Sequence, residues 1–243
     1  MKIVIFSIII ILPILNFAQQ KTIKAEYPLP SGYSRVEYSK GSYAEFIQTM
    51  PLKGDKTIKA ASGSIITNSL YKIWGVVDIP LLFKSDIEQC ADYSMRLWAE
   101  YHKKNNKLNE LYLFDYSGNR VYFKNQKKDF KGFLQNAFAY SNSSSIKRGC
   151  KTVSEKELQP GDMFVQNETG GIGHVSVIVD VCKNSKGEKL YLVGYSFMPA
   201  QEFHIEKAQT GYGIEGWFTL DGYNKYLDEN LNFGKAVYKR FTP

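Results

Sequence analysis

The chain has 243 residues, 44% of them hydrophobic, and a formal net charge of +7. That length supports one domain with a sizeable core. The Lys and Arg residues are scattered, with only short clusters such as Lys103-Lys104, which reads as a solvated basic surface. Weak attraction to an anionic envelope polymer is compatible with it, but no nucleic-acid module is recognisable.

Taken in order, Met1 to Leu12 place one lysine before an apolar stretch, and Asn16-Phe17-Ala18 offers a small-residue cleavage site. Residues 1–18 therefore read as a secretory signal peptide, too short for a retained span, with a mature protein that is periplasmic or secreted and leaves the membrane. No cysteine stands near the site, which argues against a lipoprotein anchor. Residues 19–32 are polar, carry Pro28 and Pro30, and read as a flexible lead-in. Ser42 and Glu45 fit a capping box opening a short helix to about Met50. Thr57 to Thr67 and Tyr71 to Ile79 read as two strands around the turn Asn68-Ser69.

Ser85-Asp86-Ile87-Glu88 fits a second capping box, predicting a helix to about Lys104. Ile87, Cys90, Ala91, Ser94, Leu97, Trp98 and Tyr101 would form its apolar face, and Asp92, Arg96 and Glu100 an exposed charge ladder. His102 reads as solvated. Leu111 to Tyr116 and Val121 to Phe123 read as strands, Phe130 to Tyr140 as a helix, and Ser141 to Ser145 as a polar loop. A turn at Leu158-Gln159-Pro160-Gly161-Asp162 leads into Met163-Phe164-Val165. Val175 to Val181 and Lys189 to Phe197 form an expected hairpin. A helix-first order followed by an antiparallel sheet argues for α+β.

Two residues carry the expected chemistry. Cys90 falls in the first turns of its helix, where the dipole and free amides favour a thiolate and an oxyanion. Its other reading is a small buried hydrophobe. His174 opens a strand on which His174, Ser176, Ile178 and Asp180 share one face and Val175, Val177, Val179 and Val181 the other. A central hairpin register sets His174 opposite Ser196, with Gly194 and Leu192 on the same face. Ser196, by register, and Gln201 and His204, by nearness in sequence, are the candidates to orient the imidazole. A rival metal site would draw on His174, His204 and Asp180 or Glu202, but no HExxH or CxxC pattern supports it, and no cofactor is expected. Three cysteines in an exported chain suggest one free thiol. A Cys150–Cys182 disulfide would leave Cys90 free, while Cys182 equally fits a buried strand position.

Gly41-Ser42-Tyr43-Ala44-Glu45-Phe46, Gln89-Cys90-Ala91-Asp92, Gly173-His174 and Ser196-Phe197-Met198-Pro199-Ala200-Gln201 with His204 resemble the bacterial family domain of unknown function 4846, found largely in Bacteroidetes. More distantly, Cys90, Pro160-Gly161-Asp162 and Gly173-His174-Val175 resemble the papain-like NlpC and CHAP cysteine hydrolases. That second resemblance implies a papain-like core over about 85–205, with a Cys-bearing helix packed on an antiparallel sheet. An N-terminal α/β extension (33–84) and a C-terminal segment (206–243) would complete a single α+β domain over 33–243. It implies Cys90 as nucleophile, His174 as base and an amide of a cell-wall or envelope peptide as substrate. The chain departs from that pattern at Gln89-Cys90-Ala91-Asp92, where Asp-Cys-Ser-Gly is usual. It also lacks a His, Asn or Glu at the third polar position near Tyr195 and Ser196. A non-catalytic envelope-binding protein with the same fold is the alternative.

Overall fold

The computed structural model describes residues 21–243. The predicted signal peptide, residues 1–18, lies outside the described residues. The segment read as a flexible lead-in carries the helical turn α1 (Ile23–Glu26). Ile23 and Tyr27 are buried there, and Thr22 bridges Pro51. Two apolar side chains thus dock a stretch that composition alone marked as loose. Strand β1 (Tyr33–Arg35) follows, then α2 (Tyr43–Gln48), where Ser42 Oγ accepts the Glu45 amide as expected.

Of the two β-branched runs, only β2 (Ile73–Val76) forms a strand. The earlier run makes isolated bridges, Lys59 to Ile65 and Ala60 to Gln201. One reason is that the Glu202 carboxylate takes the Lys59 amide at 2.8 Å, removing it from any ladder.

Helix α3 (Cys90–Lys104) starts later than the Ser85–Glu88 signal predicted. Glu88 is turned inward, accepting the Leu82 amide at 2.8 Å and pairing with Arg96, so it is not free to cap. Asp92 does that work instead, accepting the Gln89 amide at 3.1 Å. Two of the three ladder residues are also interior, Asp92 at 8% and Arg96 at 3% exposed, with Glu100 half-buried, and His102, expected to be solvated, is 2% exposed. His102 Nδ1–H donates to Trp98 O at 2.9 Å, and burial lowers its pKa. Heptad-like periodicity shows which face is apolar, not whether the polar face is also covered.

Strands β3 (Tyr112–Phe114) and β4 (Arg120–Tyr122) make the predicted hairpin, with Leu113 opposite Val121. Helix α4 (Phe130–Tyr140) matches its predicted range and is capped by Asp129 on the Gly132 amide. The expected Ser141–Ser145 loop is instead the start of α5 (Ser143–Gly149). Asn142 Oδ1 accepts the Ser144 and Ser145 amides, as an N-cap asparagine does.

The remaining strands are β5 (Lys151–Thr152), β6 (Met163–Gln166), β7 (His174–Asn184), β8 (Lys189–Tyr195), β9 (His204–Glu206), β10 (Gly213–Ile214), β11 (Trp217–Phe218) and β12 (Val237–Arg240). Helix α6 (Leu220–Asn230) precedes the last strand. The sheet runs β10-β11-β8-β7-β6-β12-β5, with β1 joined to β7, β9 to β8 and β2 to β9, all pairings antiparallel. The protein is therefore α+β, a mixture of helices and antiparallel sheet.

Two apolar layers flank this sheet. Residues from α2, α3, α4 and the β3–β4 hairpin pack with Val175, Val177 and Val179. Tyr223, Tyr226 and Leu227 of α6 pack with Phe164, Ile178, Val193 and Tyr195 on the other side.

A bulge at Val179 decides which side chains reach which layer. The hairpin pairs Asp180 with Leu192 but Ile178 with Val193, so β7 carries one extra residue. One inserted residue reverses the faces beyond it. Val181 therefore packs with Ile178 and not with Val179. Asp180, expected on the His174 face, instead binds Arg35 at 2.7 Å and Gln48. The pairing of Val177 with Gly194 likewise carries Ser196 to the level of Val175. The expected His174–Ser196 pairing on one face is thus corrected.

All three cysteines are free thiols, so the Cys150–Cys182 pairing is not formed; Cys182 is a buried strand residue. No helix among the described residues is long and apolar enough to cross a membrane.

Candidate functional site

Cys90 is the first residue of α3 and 6% exposed. Its Sγ lies 3.9 Å from Gly173 O, against the backbone that leads into β7. It lines a cleft of about 460 Å³ whose walls include Gln89 and Asp92 of the helix start, Phe138 of α4, Ser143 of α5, Ile172 and Met198. Burial pushes the Cys90 thiol up to about 12. The Val175, Ala91 and Cys90 amides act in the opposite sense and favour the thiolate. Cys90 and Ala91 stand in the first turn of α3 and line the cleft.

Gly173 itself has no room for a side chain. A Cβ there would run into Gln166 O and Ser143 Oγ.

His174 is fully buried, and its ring packs with Tyr195 at 5.0 Å and Phe197 at 5.4 Å. Neither ring nitrogen has a hydrogen-bond partner among the described residues, the Cys90 sulfur included. Burial first, then the neighbouring His204, lowers its pKa to about 3. At neutral pH the thiol and the imidazole are therefore both uncharged. This makes a stability prediction. An unfolded histidine takes up its proton near pH 6.5, whereas folded His174 does not until about pH 3. Stability is thus full above pH 6.5 and lost as the pH falls below it, by about 2 kcal/mol between pH 6.5 and 5. Urea unfolding of wild type and His174→Gln at the two pH values checks this; the variant should lack that component.

Gln201 is buried, with Nε2 donating to Tyr71 Oη at 3.3 Å. His204, on β9, packs edge-on against Tyr195 at 4.4 Å and tilted against Tyr71 at 4.6 Å. His174, Gln201 and His204 thus come together in one buried polar cluster around Tyr195 and Tyr71. Ser196 does not join it through its side chain: Oγ donates to Gln201 O at 2.7 Å. The rival metal set does not converge. Asp180 faces Arg35, Glu202 binds Lys53 at 2.9 Å, and no group of three or more His, Cys, Asp or Glu residues among the described residues is arranged to hold a metal.

The family description "Domain of unknown function (4846)" matches residues 23–125 and 114–240, nearly the whole described chain. The chain belongs to that family. No curated protein and no solved structure matches it.

In this member of the 4846 family, sequence reasoning missed Glu206, which bonds to His204 and Tyr195. The alternation His204-x-Glu206 on a short strand was the available signal, because residues two apart share a face. It also missed the Glu88–Arg96 pair directly before and within the Cys90 helix.

Proposed function

We propose that the protein is an exported thiol-dependent amide hydrolase, a peptidase or amidase with a papain-like core of the NlpC/CHAP kind, acting on envelope peptide. The predicted signal peptide would deliver it to the periplasm or outside the cell. The observation that carries this reading is the position of Cys90: it opens α3, lines the cleft, and touches the backbone next to His174.

In this mechanism Cys90 Sγ attacks the carbonyl carbon of the amide while its proton passes to His174. The ring comes within hydrogen-bond reach of the sulfur when substrate fills the cleft. The amides at the start of α3 stabilise the resulting oxyanion. The C–N bond then breaks and His174 returns the proton to the departing amine. Water, deprotonated by His174, hydrolyses the thioester and restores the thiol. Gln201 and His204 act on the imidazole indirectly, through the Tyr71 and Tyr195 rings they contact, and Ser196 holds the Gln201 backbone.

A second reading, a non-catalytic envelope-binding module, is favoured by one observation: the His174 ring and the Cys90 sulfur share no hydrogen bond. Alkylation of the folded protein by iodoacetamide separates the two. Cys150 and Cys182 are buried, and burial raises the pKa of both thiols. For a hydrolase, Cys90 should react much faster than either, because it alone of the three lines the cleft the reagent enters. Equal resistance of all three until unfolding supports the binding module instead.

A further inference from the structure

The Glu206 carboxylate is fully buried, and three donors converge on it. The Lys72 amide donates to Oε1 at 2.6 Å, while Tyr195 Oη–H donates to Oε2 at 3.2 Å and His204 Nε2 lies 3.3 Å from the same oxygen. Tyr195 Oη is in turn 2.7 Å from Tyr226 Oη. A carboxylate can accept from all three, and a neutral imidazole that bonds to it through Nε2 carries its proton there. His204 Nδ1 is then a bare lone pair, buried and without a partner. Both His204 and His174 pack on the ring of Tyr195, and both His174 nitrogens are also without partners. Leaving such groups unsatisfied costs about 1–3 kcal/mol each, so a cluster of them is a feature the fold sustains for a reason.

We infer that Glu206, anchored by the Lys72 amide, is a positioning residue that fixes His204 as the Nε2–H tautomer and leaves its Nδ1 as the acceptor of the polar cluster containing His174. The catalytic consequence rests on the proposed Cys90–His174 hydrolase; the tautomer itself does not. In that mechanism the tautomer sets which His204 nitrogen faces the buried cluster around Tyr195, on whose ring His174 also packs.

Glu206→Gln is a sharp probe because its orientation is dictated. The Lys72 amide demands the carbonyl oxygen, so the amide NH₂ must face His204 Nε2. The donor now offered to Nε2 forces the proton onto Nδ1. Long-range ¹⁵N–¹H spectra of the three histidines, assigned with His102→Gln and His174→Gln, read the tautomers directly. Near pH 7 the wild type should show His204 as Nε2–H, Glu206→Gln should show Nδ1–H, and Tyr195→Phe, which keeps the carboxylate, should retain Nε2–H. Turnover by folded Glu206→Gln should fall roughly tenfold or more in kcat with little change in KM, as expected for a wrong tautomer. A wild-type Nδ1–H signal, a Glu206→Gln protein that keeps Nε2–H, or a tautomer change in Tyr195→Phe overturns the inference. Should Glu206→Gln fail to fold, the wild-type and Tyr195→Phe spectra still decide it. Wild-type protein without any turnover overturns the hydrolase reading and leaves the tautomer result standing.

Discussion

On the proposed mechanism, Cys90→Ala is expected to lower amide hydrolysis by roughly a thousandfold or more while the protein stays folded, because the proposed nucleophile is gone. The change removes one sulfur atom from a small side chain at the edge of the core. Its contact with Gly173 O is long and weak, so the stability cost should be on the order of 1 kcal/mol. His174→Gln should cost nearly as much activity, since a nucleophile and its base act as a unit and their losses do not add. The double variant should therefore resemble either single one. Initial rates on an envelope peptide, with circular dichroism as the folding control, check this. Activity within tenfold of wild type in Cys90→Ala would remove the thiol from the mechanism.

Arg96→Met is expected to be the most destabilising surgical change near the site, by about 3–5 kcal/mol. Arg96 pairs with Glu88 inside the protein and also donates to Pro80 O at 2.7 Å. Methionine keeps much of the stem volume but leaves the Glu88 carboxylate buried, with backbone amides as its remaining donors. Burial already raises the Glu88 pKa, and Arg96 is the largest influence holding it down. A carboxylate whose folded pKa exceeds its unfolded value destabilises the protein as pH rises through that interval. The Arg96→Met defect should therefore be larger at pH 7 than at pH 5. Adding Glu88→Gln should recover part of it, because the stranded charge is removed; a double-mutant cycle by urea denaturation measures the coupling. Glu88 lies two residues before Cys90, so the single variant should also loosen the start of α3 and slow Cys90 alkylation or turnover more than its global stability predicts.

What the sequence disclosed, and what it hid, follows the range of the forces involved. Helix α4 and the β3–β4 strands were legible because the residue patterns of Phe130 to Tyr140, Leu111 to Tyr116 and Val121 to Phe123 act locally. The start of α3 was misplaced because Glu88, in a good capping position, is claimed by Arg96 and the Leu82 amide. Helix α5 was overlooked although Asn142 ahead of three serines is a sound cap; serine-rich composition outweighed it. The bulge at Val179 could not be read at all. A regular alternation of valines looks the same with or without one extra residue, yet that residue sends Asp180 to Arg35 and Ser196 away from the His174 face. Of the residues singled out in the sequence, His174, Gln201 and His204 lie together around Tyr195 and Tyr71. Glu206 was not singled out, because its contacts are with Lys72 and Tyr195, which are distant in sequence or on another strand.

The most direct test of the central claim is to look for the acyl-enzyme. Wild type and Cys90→Ala would each be mixed with the p-nitrophenyl ester of a short peptide, quenched in acid and examined by intact and peptide mass spectrometry. The account predicts a single acyl adduct on the Cys90 peptide of wild type and none in the variant. Acylation elsewhere at equal extent in both proteins, or no adduct on Cys90, would contradict it.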